Sequence, residues 1–255
     1  MGFSSYHTKV TSPAKVHRRW KGGTGALVHW DGQANVEEPL PFEFAILEQT
    51  RRIQGFAPRG ANNIRYYSNE TTSYDDEIAV MAKPDNGAAT EVIRGKYSDI
   101  KEKLPQGAKL SICLYIYNLV TNQIECLTLQ GASLSAFIEF SKKNKIYESS
   151  VIMDRGVEKT MGSVKFFPPA FSIGQSYEPD LFEQLTEADG KVIEYQKSIR
   201  SKNTTGEGPD KIDQTPAQYE GEFSQEAKPV LHEDSAESPD ETGEQNAVDF
   251  NSIPF

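Results

Sequence analysis

Apolar and polar positions alternate with a period of two in two long stretches of the chain. Phe42, Phe44 and Ile46 alternate with Glu43 and Ala45, and Leu110, Ile112, Leu114 and Ile116 alternate with Ser111, Cys113, Tyr115 and Tyr117. That period places successive side chains on opposite faces of a strand. Shorter aromatic or β-branched runs at 26–30, 64–69, 78–83, 151–153 and 162–167 lie between Gly, Pro, Asn and Asp turn residues and read as further strands. The run 123–129 follows the second alternating stretch across a short turn at 120–122, which predicts a hairpin. Pro168-Pro169 ends or edges the last strand.

Helical spacing is sparser. Tyr97, Ile100 and Leu104 fit one face of a short helix, and Leu134, Phe137 and Ile138 give 132–145 a buried stripe, with Lys142, Lys143 and Lys145 complementing its carboxyl-terminal dipole. Pro179 suits the first position of a final helix over 179–200, weakened in the middle by Gly190. Many short strands with few helices predict a mainly β fold, an OB-like small barrel rather than a parallel α/β sheet.

Charge divides the chain. The formal net charge is −10, and residues 201–255 alone carry 13 acidic and three basic residues, so residues 1–200 are neutral. Four segments result: a basic, flexible leader at 1–22 that includes Lys9, Lys15, Arg18, Arg19 and Lys21; an OB-like domain at 23–175; a helix at 176–200; and an acidic tail at 201–255, too poor in apolar groups to offset the entropy of ordering. Neither a signal peptide nor a run of apolar residues long enough to span a membrane is visible, which predicts a soluble, cytoplasmic protein without a membrane partner.

Candidate chemistry is thin. Cys113 and Cys126 lie in strand-like segments without CxxC spacing and read as reduced core residues, and His7, His17, His29 and His232 form no ligand or catalytic set. Gly22-Gly-Thr-Gly25 lacks phosphate-loop spacing and reads as a turn, and Asp75-Asp76-Glu77 as a solvated loop. The expectation is a protein that is not an enzyme and needs no cofactor or metal.

The carboxyl terminus is more informative. A polar tail finishes with Asp249, Phe250, Asn251, Ser252, Ile253, Pro254 and Phe255, an apolar tip beside a free carboxylate that suits docking into a partner's pocket. This ending resembles that of the bacterial and bacteriophage single-stranded-DNA-binding proteins, whose acidic tails end in Ile-Pro-Phe, although Asn251 and Ser252 replace the usual acids. The resemblance implies that Asp249, Phe250, Ile253, Pro254 and Phe255 recruit replication, recombination or repair proteins of a host or phage. It further implies a body that binds and protects single-stranded DNA without sequence preference, in a bacterial cell if the chain is phage-encoded. Self-association is compatible with this reading.

Such binding needs cations for phosphates and aromatic faces for bases. Strand phasing nominates Arg65 with Tyr67, Lys165 with Phe167, and Tyr115 with Tyr117, joined by Arg51, Trp20, Lys21 and Trp30. Of the adjacent Arg51 and Arg52, at most one lines a given groove. The competing expectation is a protein adaptor that binds no DNA and imitates the tail to capture the same partners.

Overall fold

The computed structural model describes residues 11–58 and 63–204, so the leader's first ten residues and the acidic tail with its tip at Asp249, Phe250, Ile253, Pro254 and Phe255 lie outside the described residues. The chain is mainly β with few helices, as its alternation predicts. The strands are β1 (Val16–Lys21), β2 (Ala26–Trp30), β3 (Asn35–Glu37), β4 (Phe42–Phe56), β5 (Arg65–Ser68), β6 (Ile78–Lys83), β7 (Thr90–Gly95), β8 (Ala108–Asn118), β9 (Gln123–Gln130), β10 (Ser149–Arg155), β11 (Lys159–Met161), β12 (Val164–Phe166) and β13 (Pro169–Ser176). The helices are α1 (Tyr97–Ile100), α2 (Ala132–Ser141) and α3 (Pro179–Thr204). None of the described helices is long and apolar enough to cross a membrane.

One sheet runs β3-β2-β1-β9-β8-β4-β5-β6-β7. It branches at β4, whose first residues also pair β10 (Phe44 with Val151) and whose last residues pair β5 (Gln54 with Tyr67). The β8–β9 hairpin has the expected place and an antiparallel register from Ser111 and Gln130 to Asn118 and Gln123. A bulge between Ile46 and Glu48 shifts the β4–β8 register. Where these strands part, Gly55 and Gly107 have φ of +153° and +95°, and a Cβ on either would lie 2.0 or 1.9 Å from a carbonyl oxygen of the facing strand. Only glycine permits that approach.

Two expectations change here. Within the basic leader, Val16–Lys21 is part of the sheet: β1 pairs β2 antiparallel and β9 parallel. Its inward positions are Arg18 and Trp20, and the Arg18 guanidinium is neutralised by Glu125 and Glu38, so a strand without an apolar stripe is still satisfied inside. The final strand also differs. Residues 159–166 form the small β11–β12 hairpin, and the Pro pair opens β13 instead of closing a strand. Among the described strands β13 pairs only β10, and Pro169 at its first position leaves no ladder donor missing.

Three apolar clusters hold the fold. Leu27, Phe44, Ile46, Leu114, Ile116, Leu127 and Val151 pack one sheet face against Leu134, Phe137 and Ile138 of α2. Ile53, Tyr66, Ile78, Val80 and Leu110 make a second cluster with Ile100. In the third, Leu185, Ala188, Val192, Tyr195 and Ile199 form a single stripe along α3 and cover Ala45, Leu47, Tyr115, Tyr117 and Ile124. Gly190 faces outward from that stripe, so its weak helix propensity is set against a continuous buried face. Cys113 and Cys126 are buried free thiols.

Candidate nucleic-acid interface

Strand register decides which side chains share a face. From β1 outward, Arg19 lies opposite Val28 on β2 and Thr128 on β9; Thr128 lies opposite Cys113, and Gln130 opposite Ser111. Ser111 faces Arg52, Lys109 faces Gln54, Gln54 faces Tyr67, and Arg65 faces both Phe56 and Lys83. With period two along each strand, Trp30 and Lys21 join the same side. One end of this face lies beneath α3. The remainder, which no described helix covers, is the open face: it runs from the half-buried Trp30, Arg19 and Lys21, over half-buried Thr128 and Gln130 and exposed Lys109, to the half-buried Phe56, Arg65 and Tyr67, with Val28, Ser111 and Arg52 buried between them. From β2 to β5 it crosses five strand spacings, about 24 Å at about 4.8 Å each.

Aromatic groups and cations sit together at both ends. The Arg65 guanidinium lies 6.0 Å from the centre of the Tyr67 ring. At the other end Trp30 is half-buried, and its indole N–H has no hydrogen-bond partner among the described residues. In the middle, Arg52 donates to the Thr128 hydroxyl at 3.3 Å and lies 3.8 Å from the Glu70 carboxylate. Glu70 also accepts from the Tyr115 hydroxyl (3.2 Å) and the Thr50 hydroxyl (3.4 Å). Burial pushes the Glu70 carboxyl upward, against the opposing pull of Arg52 and these hydrogen bonds.

Beside Arg52, His17 is pushed down to about 4, first by burial and then by the Arg52 charge. It is neutral at pH 7. A lowered histidine value gives stability that is present above the unfolded value near 6.5 and lost as the pH falls toward 4. Urea unfolding at pH 7 and pH 4 is expected to show the native chain losing about 3 kcal/mol more than His17→Gln over that interval. Parallel losses in the two proteins would mean that His17 does not carry this acid sensitivity.

Of the residues nominated from sequence, Lys21, Trp30, Arg65 and Tyr67 stand on the open face. Tyr115 and Tyr117 belong to the same face, as their alternation implies, but α3 covers them. Tyr115 is 1% exposed, with Tyr195 edge-on to its ring at 5.8 Å, and the Tyr117 hydroxyl donates to Gln184 at 3.0 Å. Neither ring has a surface left for a base. Arg51 is also removed from the set: it is 1% exposed, donates to the Thr72 carbonyl at 2.9 Å and lies over Tyr74 at 4.1 Å. Its neighbour Arg52 takes the position on the face. Trp20 turns to the core, where its indole N–H donates to the Phe167 carbonyl at 2.7 Å. Lys165 and Phe167 lie on and beside the β11–β12 hairpin, next to that contact.

Sequence reading missed Arg19, Phe56 and Lys109. Lys109 was within reach, since it shares parity with Ser111 and Tyr115 on β8. Arg19 lies in the basic leader, where no apolar alternation sets a strand phase. Among the described residues, no group of three or more His, Cys, Asp or Glu is arranged to hold a metal ion. No protein-family model matches the chain, and no curated protein or solved structure matches it either.

Proposed function

We propose that this chain binds single-stranded DNA without sequence preference across the open face, and that the terminal segment ending in Ile253-Pro254-Phe255 recruits replication, recombination or repair proteins in the bacterial cytoplasm. The supporting observation is the register that puts Trp30, Phe56 and Tyr67 on one sheet face with Arg19, Lys21, Arg65 and Lys109. Stacking on such rings accepts any base, and the cations follow the phosphates. The sheet is read as an OB-like barrel because a single core receives residues from β2, β4, β8, β9 and β10, with α2 packed on it. The function consists of coating and protecting the strand, so no bond is made or broken.

Titration with a labelled oligonucleotide at several salt concentrations tests this. With four phosphates engaged, log K is expected to fall against log salt with a slope of about −3, nearly independent of base composition. Absence of binding at low salt would overturn the proposal and favour an adaptor that contacts proteins alone.

A further inference from the structure

Neither the core nor the open face accounts for the β11–β12 hairpin. Its two strands pair only with each other among the described residues. Met161 is 73% exposed and Val157 82%, while Lys159 and Lys165 reach into water. An isolated two-stranded hairpin is marginal in water, and apolar side chains this exposed contribute little to folding.

The base of the hairpin, in contrast, is firmly tied. The Phe167 N–H donates to the Gly22 carbonyl at 2.8 Å, the Trp20 indole to the Phe167 carbonyl at 2.7 Å, and the Gly156 N–H to the Pro168 carbonyl at 3.0 Å. The Arg155 guanidinium lies over the Phe167 ring at 4.0 Å. A Cβ on Gly25 would stand 2.8 Å from both Arg155 Nε and Phe167 Cβ, so the β1–β2 turn and the hairpin base are in direct contact. That turn begins at Lys21, on the open face. The hairpin is therefore an arm that springs from the rim of that face.

Its charge fits the same ligand. Residues 155–167 hold Arg155, Lys159 and Lys165 against the single acid Glu158. The Lys165–Glu158 pair, at 3.0 Å, is largely exposed and costs little to exchange for a phosphate.

We propose that the arm is a second station for the strand bound on the open face: Lys159 and Lys165 neutralise phosphates where the strand passes the β1–β2 turn, and Met161 packs against a base. This rests on the single-strand reading above and extends it to a length-dependent site.

The test uses the full chain and a Lys159→Ala/Met161→Ser/Lys165→Ala variant, titrated with oligonucleotides of about 6 and about 20 nucleotides. The variant is expected to bind the short strand as the native chain does and to bind the long one about tenfold more weakly. Its salt slope for the long strand should be smaller by about 1.4, the release expected from two phosphate contacts. A second variant, Lys159→Glu/Lys165→Glu, keeps Met161 and should lose more on the long strand alone. Unchanged long-strand affinity overturns the arm's role, and so does an equal loss on both lengths with unaltered thermal melting. If the native chain binds neither length, the single-strand reading fails and the arm's role fails with it.

Discussion

Glu125→Ala is expected to destabilise the protein by about 3–5 kcal/mol, the cost of leaving a buried charge without its partner. Glu125 is 1% exposed and accepts from Arg18 Nε and Nη2 and from Asn118 Nδ2, the last at 3.0 Å. Without it, Arg18 keeps Glu38, which meets a different guanidinium nitrogen and is shared with His29. Glu125→Gln retains an acceptor oxygen but no charge, so it should recover only part of the loss. Replacing both partners, Arg18→Met with Glu125→Leu, should recover more, because neither charge of the deeply buried pair then remains and the less buried Glu38 keeps its contact with His29. Urea denaturation monitored by tryptophan fluorescence measures all three. A loss below about 1 kcal/mol for Glu125→Ala would mean that Arg18 reaches water or another acid.

The second large effect is on binding. Trp30→Ala and Tyr67→Ala are each expected to cost about 1–3 kcal/mol of affinity for single-stranded DNA. The two rings stand at opposite ends of the face, too far apart to share a base, so the losses should add. The double variant is then weaker by about 30-fold to about 20,000-fold. Anisotropy of a labelled strand reads this without relying on Trp30. Tyr115→Phe is the control: it removes one hydrogen bond to Glu70 beneath α3 and should leave DNA affinity unchanged. Wild-type affinity in the double variant would assign the strand to another surface.

Alternation along β8 revealed both the strand and the orientation of Tyr115 and Tyr117. It could not reveal that α3 lies over them, because a strand's own period says nothing about what packs on its polar side. Arg51 and Arg52 changed places for a definite reason. Phe42, Phe44 and Ile46 put even positions in the core, but the bulge between Ile46 and Glu48 reverses parity, so that Arg51 and Ile53 turn inward and Arg52 and Gln54 outward. No residue type in that stretch signals a bulge. The leader hid β1 for another reason: Arg18 is inside only because Glu125 on the distant β9 and Glu38 just beyond β3 meet it there. Trp30, Arg65 and Tyr67 were legible because their strands are short and regular, whereas Lys21 was legible only as a cation beside an aromatic residue.

The parallel pairing of β1 with β9 also bears on how the chain is made. Val16 must wait for Glu125, 109 residues later, and Phe44 for Val151. A growing chain therefore presents β1 and β4 as open edges while most of the domain is still being synthesised, and such edges invite pairing with other chains. The polar sequence of β1, with Arg18, Arg19 and Lys21 among its six residues, makes that wait tolerable. Like charges on neighbouring nascent chains repel, and the strand becomes satisfied only when Glu125 arrives with its own partner strand.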